Sequence, residues 1–359
     1  MSLIPRAKSE NAAKVLAQAL ANEGQVDSVP QSLSLTILER CNLACRMCDQ
    51  GHHSDRELSA EALARLKDAL AGVQSVCLTG GEPLLHPGLM DFLDLCFQNN
   101  CQTVIQTNAT LLTESRARLL IERGVSRLKI SVDGARPATY NRIRVHADFT
   151  RVMANIAGLN RLKVSLGSRK PELEFNFVAM RENIAELPRL VRLAAGLGVV
   201  QINVFPLLAH TRELCGQSLY FAPDLSDAST VAAMEEARAL GVKLNAPPLF
   251  GSPEAPAETH AARRCTAPWD ELTVNVTGDA ALCCGGAGLA GNLNEQSFAE
   301  VWNHPARVSL RRRVNTPAEP ACCRDCRLIR QDPKRIHSHI PDPDLARQAL
   351  AEHGRQGAA

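Results

Sequence analysis

The sequence of 359 residues has no run of about 18 apolar residues, which excludes a transmembrane helix. It has no excess of one charge either. The 40 Lys and Arg residues face 38 Asp and Glu, so there is no electrostatic argument for binding nucleic acid or an acidic membrane surface. The N-terminus lacks the basic start, apolar run and small-residue cleavage site of a secretory signal. These absences predict a cytoplasmic protein, and the 45% of hydrophobic residues supports a sizeable core.

Cysteine is abundant, with 13 residues. An odd number of cysteines without an export signal argues against a disulfide scaffold, because the cytosol keeps thiols reduced. Three cysteines lie between residues 41 and 48, a pair lies at 283 and 284, and three more lie between 322 and 326. Such groups in a cytosolic protein are typical of metal ligands.

Short β-rich runs alternate with longer helical runs from about residue 33. The predicted strands are 33–39, 75–80, 102–108, 127–133, 172–180 and 199–207. Helical segments lie between them, the first with Ser59 as its N-cap. Six strand–helix repeats predict a parallel sheet with right-handed crossovers. Because six units are too few to close an eight-stranded barrel, the expected fold is an α/β protein with an open, partial (β/α)6 barrel.

The repeat stops after Pro206, and the stretch 245–262, rich in Pro, Gly and Ala, predicts a linker. A cysteine-rich α+β module follows at 265–326, with a predicted hairpin (ELTVNVTGDAALCC) and one helix (FAEVWNHPARVSLRRR). The last three arginines of that helix, 311–313, are expected at a solvated helix end. The predicted domains are an N-terminal helical extension (1–32), the barrel (33–245), the cysteine-rich domain (246–335) and a C-terminal helical tail (336–359).

Cys41, Cys45 and Cys48 have the spacing C-x3-C-x2-C directly after the first predicted strand. Ligand sites in parallel α/β folds lie at the carboxyl ends of the strands. Three thiolates on one loop can hold three irons of a [4Fe–4S] cluster and leave the fourth iron open, and an open metal position indicates catalysis. A three-cysteine zinc site completed by His52 or His53 is the alternative.

Two further strand ends carry residues suited to a ligand. The second strand ends in TGGEP, where Gly80 and Gly81 allow close backbone approach and Glu82 can accept hydrogen bonds from an ammonium group. The fourth strand ends in SVDG, which offers Ser131 and Asp133 to a ribose. Together with the C-x3-C-x2-C loop, these motifs resemble those of the radical S-adenosylmethionine (SAM) superfamily.

The resemblance covers roughly residues 33–210. It implies that a [4Fe–4S] cluster, reduced by a flavodoxin- or ferredoxin-type donor, cleaves SAM to a 5′-deoxyadenosyl radical that abstracts a substrate hydrogen. The implied roles are cluster binding by Cys41, Cys45 and Cys48, adenine contact by Met47, ammonium binding by Gly80, Gly81 and Glu82, ribose contact by Ser131 and Asp133, carboxylate binding by Arg144, and a less defined SAM-site role for Asn108. Arg142 is an alternative to Arg144, and Ala109 replaces the glycine that often follows Asn108 in the family.

Polar and apolar residues alternate along the later strands. Glu174 and Asn176 share one face of the fifth strand, and Gln201 and Asn203 share one face of the sixth. Fully buried parallel strands are apolar on both faces, so a polar inner face predicts a barrel interior open to a ligand. The alternative is that these polar groups pair with one another.

The cysteine-rich module carries the pattern C-x12-G-x4-C … C-x2-C. Its members are Cys265, Gly278, Cys283, Cys323 and Cys326. The pattern resembles the Twitch domain, the shortened form of the SPASM domain, and this resemblance implies one auxiliary [4Fe–4S] cluster on the four cysteines. Two alternatives stay open: a structural zinc site with four cysteine ligands, and a register in which Cys284 or Cys322 replaces its neighbour.

The other cysteines have simpler interpretations. Cys77, Cys96 and Cys101 are expected to be small core residues. Cys215 follows the sixth strand at a place from which the chain can reach the barrel mouth. A thiol there could return a hydrogen atom to a substrate radical, and a passive loop cysteine is the alternative.

The expected function is that of a radical SAM enzyme of the oxidoreductase type, which oxidises or remodels a small molecule. SAM would be consumed, and the saturated auxiliary cluster would accept the electron that the substrate radical loses. One rival is a maturase that cross-links or epimerises a ribosomally made peptide. The other is an iron–sulfur electron carrier without enzymatic activity, against which the SAM-binding strand ends speak.

Overall fold

The computed structural model describes residues 5–49, 54–253, 264–324, 326 and 334–354. Within these ranges the strands are β1 (Ser32–Leu38), β2 (Ser75–Gly80), β3 (Gln102–Thr107), β4 (Arg127–Ser131), β5 (Glu172–Ala179), β6 (Gln201–Pro206), β7 (Lys243–Asn245), β8 (Glu271–Val274), β9 (Asp279–Ala281) and β10 (Leu289–Asn292). The helices are α1 (Arg6–Leu20), α2 (Ala60–Arg65), α3 (Leu89–Gln98), α4 (Glu114–Glu122), α5 (Pro137–Ile143), α6 (Phe149–Ser165), α7 (Leu187–Gly196), α8 (Arg212–Cys215), α9 (Pro223–Leu240), α10 (Ala267–Asp270), α11 (Phe298–Trp302), α12 (Pro305–Arg313), α13 (Ala321–Arg324) and α14 (Pro343–His353). Among these helices, none has the length and apolar character needed to cross a membrane.

The strands form one sheet in the order β10-β9-β8-β1-β2-β3-β4-β5-β6-β7. From β1 to β7 every neighbouring pair is parallel, and helices connect the successive strands. All six predicted strands are present, with ends that differ by one or two residues at most. Ser59 caps α2 as predicted, because its hydroxyl accepts a hydrogen bond from the Ala62 amide at 3.0 Å. The mixed α/β fold with a partial barrel is confirmed.

Two parallel pairings extend the sheet beyond the predicted strands. β7 pairs with β6, and β8 of the cysteine-rich module pairs with β1. The predicted hairpin of that module is present as the antiparallel pair of β8 and β9. The cysteine-rich module therefore continues the sheet of the barrel. The domain boundaries at 32, 245 and 335 stay predictions, and the second half of the predicted linker, 254–262, lies outside the described residues.

The two faces of the sheet differ in polarity. Leu128, Ile130 and Phe175 are fully buried on one face. On the other face, Asn203 donates hydrogen bonds to Glu174 at 3.0 Å and to Asn176 at 3.1 Å. Gln201 and Asn245 in turn donate to the Asn203 side-chain oxygen, at 2.7 and 2.9 Å. The predicted polar face is thus present, and its side chains pair laterally with one another, as the alternative interpretation expected.

The segment 21–31, between α1 and β1, forms hydrogen bonds with the cysteine-rich module. Trp269 donates its indole hydrogen to the Glu23 carbonyl at 2.8 Å, and Trp302 donates to the Ser28 carbonyl at 2.8 Å. Both tryptophans are almost fully buried. Buried indole groups require such partners, so the segment is a structural part of the module contact.

The segment FAEVWNHPARVSLRRR differs from its prediction in two ways. It forms two helices, α11 and α12, because Pro305 begins a new helix and cannot continue the previous one. Arg311 is also fully buried rather than solvated. Its guanidinium lies 4.4 Å from the centre of the Trp302 ring and donates to the carbonyls of Pro268 and Gly24, both at 3.0 Å. Burial lowers the pKa of Arg311 to about 9.

We predict that Trp302→Ala destabilises the protein by about 3–5 kcal/mol, because it removes a buried aromatic ring together with its hydrogen bond. Phe97→Ala is the matched control, since Phe97 is 56% exposed, and should cost less than about 1 kcal/mol. Urea denaturation followed by circular dichroism measures both. Equal losses would contradict the structural role given to Trp302.

Candidate functional site

The loop after β1 brings the first group of cysteines together. Two backbone hydrogen bonds hold the loop against the end of α5, from Ala44 to Val145 at 3.1 Å and from Arg46 to Ile143 at 3.0 Å. The thiol of Cys41 is close enough to interact electrostatically with those of Cys45 and Cys48. Burial raises the pKa of the Cys41 and Cys45 thiols. The three sulfurs therefore share one partly buried site at the carboxyl end of the sheet. His52 and His53, of the zinc alternative, lie outside the described residues.

Gly80 and Gly81 allow the end of β2 to lie directly against the chain that leads to Cys41. The Gly81 amide donates to the Leu38 carbonyl at 2.7 Å, and Gly80 has a φ of 138°. A Cβ atom at Gly81 would lie 2.3 Å from the carbonyl oxygen of Arg40, which is too close for any side chain. The glycines are therefore required by backbone packing next to the cysteine loop.

Glu82 is fully buried and its carboxylate accepts three hydrogen bonds. The donors are the Thr107 hydroxyl at 2.7 Å, the Asn108 amide at 2.8 Å and the Leu84 amide at 3.1 Å. Burial raises the pKa of Glu82, and the hydrogen bonds oppose this shift. Glu82 thus joins the ends of β2 and β3 behind the cysteine loop.

Asn108 faces the first cysteine. Its side-chain amide lies 3.8 Å from the Cys41 sulfur and donates to the Asn42 side chain at 3.0 Å. Ala109, where the family often has glycine, has a φ of 58°, in the left-handed region that favours glycine. Ala109 thus adopts a backbone conformation that suits glycine better than alanine.

Arg144 and Asp133 form a buried ion pair at this site. The guanidinium lies 2.7 Å from the Asp133 carboxylate and 3.7 Å from the Cys45 sulfur. Burial disfavours the charge on Arg144, but Asp133, Cys45 and Tyr140 together outweigh burial and raise the arginine pKa. Among the described residues, Arg144 Nε has no hydrogen-bond acceptor. Arg142 instead pairs with Glu182 on the surface at 2.8 Å, so Arg144 is the arginine next to the cysteines.

The other predicted site residues lie around this centre at different depths. Asp133 is fully buried and also accepts from the Val178 amide at 2.7 Å, whereas Ser131 on the inner face is partly exposed. Met47 is partly buried against an apolar cluster that includes Cys215. The Cys215 thiol is 1% exposed and donates to the Thr211 carbonyl at 3.3 Å. Its role as a hydrogen-atom donor stays a prediction that this burial does not favour.

The second group of cysteines surrounds a small cavity of about 50 Å³. Its lining includes the four predicted ligands, Cys265, Cys283, Cys323 and Cys326. Within the described part of the chain, no three His, Cys, Asp or Glu side chains are close enough to share a single metal ion. Ligands of a four-iron cluster stand farther apart, because each iron takes its own thiolate. Four thiols around one cavity are a donor set that can bind an iron–sulfur cluster or a zinc ion.

Contacts around this cavity bear on the choice between neighbouring cysteines. A Cβ atom at Gly285 would lie 3.2 Å from the Cys326 sulfur and 3.6 Å from the Cys283 sulfur, so these two flank the glycine. Cys284 is more exposed and interacts with Glu271 on β8, and Cys322 is also exposed. The predicted register at 283 and 323 stays a prediction.

Arg307 is a neighbour of this cavity that the sequence pattern did not indicate. It is fully buried on α12 and donates to the Leu282 carbonyl at 2.9 Å and to the Ala281 carbonyl. Burial lowers its pKa to about 10, and the Cys283 thiol opposes the shift. An isolated arginine in the first turn of a polar helix resembles a surface residue, so no local signal could have identified Arg307.

A larger cavity of about 820 Å³ connects the carboxyl end of the sheet with the second group of cysteines. Ala179, Val204 and Phe205 line it from the ends of β5 and β6, and Cys284 and Cys326 line it from the other side. Cys284 follows β9, which stands near the opposite end of the ten-stranded order from β5 and β6. The sheet is therefore curved, so that its two ends face each other across the cavity.

Comparisons with known proteins agree with both cysteine sites. A family model of the radical SAM superfamily matches residues 35–194, and a model described as an iron–sulfur cluster-binding domain, SPASM, matches residues 265–327. These matches imply SAM and a [4Fe–4S] cluster in the first part, and an auxiliary iron–sulfur centre in the second.

Individual relatives are distant. A PqqA peptide cyclase from Gluconobacter oxydans is 26% identical over 321 residues, which are 85% of each chain. A probable GTP 3′,8-cyclase from Methanocaldococcus jannaschii is 27% identical over 198 residues, which are 54% of this chain and 64% of that protein. The crystal structure of Streptococcus suis SuiB has a TM-score of 0.63 at 19% identity and covers 84% of this chain and 72% of that one, which shows a shared fold. Residues 35–194 thus form a domain of the radical SAM superfamily, and residues 265–327 form an iron–sulfur cluster-binding domain of the SPASM type.

Proposed function

We propose that this protein oxidises a small organic molecule held in the 820 Å³ cavity. The observation that carries the proposal is the position of that cavity, between the ends of the barrel strands and the cysteines of the SPASM-type module. Its volume lies within the range of small-molecule sites, which is about 300–1,000 Å³. A molecule in this place would lie beside Cys284 and Cys326 and at the carboxyl end of the sheet, the edge that also carries the first cysteine site.

The first cysteine site has the residues that the cleavage of SAM needs. Cys41, Cys45 and Cys48 would hold three irons of the core cluster. When bound and reduced by a flavodoxin- or ferredoxin-type donor, this cluster and SAM supply a 5′-deoxyadenosyl radical that removes a hydrogen atom from the substrate. Phe205 and Leu208, which are 46% and 50% exposed, give the cavity an apolar lining that a bound substrate would cover.

Some of the residues at the strand ends would contact SAM directly, and others would orient the residues that do. The Arg144 fork would bind the SAM carboxylate, with Asp133 fixing the guanidinium. Since Asp133 already has two protein partners, ribose contacts would fall to the partly exposed Ser131. Glu82 already accepts three hydrogen bonds, so a methionine ammonium would add a fourth to the same carboxylate.

The second site would hold an auxiliary cluster that is saturated by Cys265, Cys283, Cys323 and Cys326. A saturated cluster has no iron for the substrate, so the chemistry that it offers is the acceptance of one electron. Arg307 places a positive charge next to Cys283, which favours an added negative charge at this site. A substrate radical that loses one electron to this cluster and one proton to the solvent would become the oxidised product.

A peptide substrate is the second candidate. It is favoured by the match to PqqA peptide cyclase, which covers 85% of both chains, whereas the match to the GTP cyclase covers 54% of this chain. A peptide would place one or two side chains in the cavity and leave the rest outside. The mass of the product distinguishes a cross-linked peptide from an oxidised small molecule.

We predict that Arg144→Lys weakens SAM binding about tenfold, because lysine keeps the charge opposite Asp133 but loses the two-nitrogen fork. Arg142→Lys is the matched control and should change the affinity less than about twofold, since that side chain pairs with Glu182 at the surface. Equilibrium dialysis with labelled SAM on the reconstituted protein measures both. An equal loss in the two variants would overturn the assignment of Arg144.

We further predict that the double variant Cys323→Ala/Cys326→Ala loses the auxiliary iron, still makes 5′-deoxyadenosine and fails to release oxidised product. The core variant Cys41→Ala/Cys45→Ala/Cys48→Ala should make no 5′-deoxyadenosine, whereas Cys284→Ala and Cys322→Ala should keep both clusters. Iron analysis and chromatography of the products give the result. Normal turnover by the double variant would make the auxiliary cluster structural, and 5′-deoxyadenosine from the core variant would refute the proposed function.

A further inference from the structure

Lys8 on α1 is a buried lysine, with 2% of its surface exposed. Among the described residues, its ammonium contacts the carbonyls of Val73 and Leu70, the latter at 3.2 Å, and the sulfur of Cys101 at 3.5 Å. A buried ammonium is costly without a counter-charge, and carbonyl groups carry no charge. Of these partners only Cys101 can supply a negative charge, as a thiolate.

The end of α3 places a second thiol next to Cys101. The Cys101 amide donates to the Cys96 carbonyl at 2.9 Å, and the Asn100 amide donates to the Phe97 carbonyl at 3.0 Å. With Asn100 at a φ of 54°, these are the two hydrogen bonds of a Schellman motif. This motif brings the side chains at its two ends into contact, and here both of them are cysteines.

Two side chains next to Cys101 favour the thiolate, whereas the carbonyls of Val73 and Leu70, at 3.4 and 3.5 Å from its sulfur, favour the protonated thiol. A hydrogen bond from the Cys96 thiol and the charge of Lys8 lower the pKa of Cys101 to about 7, although burial opposes the shift. Cys96 on α3 and Lys8 on α1 are the titratable groups that act on Cys101 among the described residues. A thiol with such a pKa has a large nucleophilic fraction at neutral pH.

We propose that Lys8, Cys96 and Cys101 form a peroxide-sensitive dithiol site. The Cys101 thiolate attacks one oxygen of hydrogen peroxide and the O–O bond breaks, which yields a sulfenic acid and a hydroxide that takes up a proton to become water. The Cys96 sulfur then attacks the Cys101 sulfur, the S–O bond breaks, and a second water leaves. In sum, two thiols and one hydrogen peroxide give one disulfide and two waters.

The disulfide has a consequence for α1. Oxidation removes the negative charge from Cys101 and leaves the Lys8 ammonium with carbonyl partners alone. The docking of α1 is then weaker, and the segment that follows α1 holds Trp269 and Trp302 of the cysteine-rich module. The oxidation state of this site therefore acts on the contact between barrel and module.

The test uses the reconstituted full chain, a small molar excess of hydrogen peroxide and mass spectrometry. Trypsin yields one peptide, 68–116, that contains Cys77, Cys96 and Cys101, so Cys77 is an internal control. Cleavage after Phe97 separates Cys96 from Cys101 unless a disulfide joins them. We expect the Cys96–Cys101 disulfide while Cys77 stays reduced, and its reversal by dithiothreitol.

Variants separate the roles of the three residues. Lys8→Met should slow the alkylation of Cys101 by iodoacetamide at pH 7 about tenfold, and Lys8→Arg should keep the rate within about twofold. In Cys96→Ala, peroxide should leave a sulfenic acid on Cys101 that dimedone traps. If Lys8→Met does not fold, the pH dependence of Cys101 alkylation in the wild type tests the proposal instead. We expect the alkylation rate to reach half of its maximum near pH 7, whereas an ordinary cysteine does so at about pH 8.5. An ordinary midpoint, an unchanged rate in a folded Lys8→Met, or equal oxidation of Cys77 would overturn the proposal.

Discussion

The buried ion pair between Asp133 and Arg144 is the interaction on which the candidate SAM site depends. Asp133 lies just past β4 and is fully buried, and Arg144 lies just past α5, where the chain also holds the cysteine loop through two backbone hydrogen bonds. Removing one partner of such a pair leaves an uncompensated charge and costs about 3–5 kcal/mol. The pair therefore fixes the cysteine loop to the strand ends. Among the described residues, Arg144 Nε has no acceptor, so this nitrogen can donate a hydrogen bond to a ligand.

The curvature of the sheet is the second constraint. Because β8 adds to β1 in parallel and β7 adds to β6, the SPASM-type module stands at one end of a continuous sheet and the last barrel strand at the other. Curving this sheet brings both ends to one cavity. The contacts of Trp269 and Trp302 with the segment after α1 then hold the module in place.

Local patterns predicted the parts of this structure that depend on local physics. Alternation and turn residues located all six barrel strands, and motif spacing located the cysteine loop and its neighbours at the strand ends. The pattern could not indicate β7, whose three residues (KLN) show no clear alternation, or the pairing of β8 with β1, which joins residues far apart in the chain. For the same reason the burial of Arg311, the role of Arg307 beside Cys283 and the meeting of Lys8 with Cys101 were missed. Each of these depends on a partner that only the folded chain supplies.

The proposed function requires one open iron position for SAM at the first cysteine site and none at the second. Electron paramagnetic resonance of the reduced, reconstituted protein tests it most directly, because an open iron changes its signal when SAM coordinates it. The account predicts the signals of two [4Fe–4S] clusters, of which SAM alters one and leaves the other unchanged. A single cluster signal, or two signals that both stay unchanged when SAM is added, would contradict this assignment.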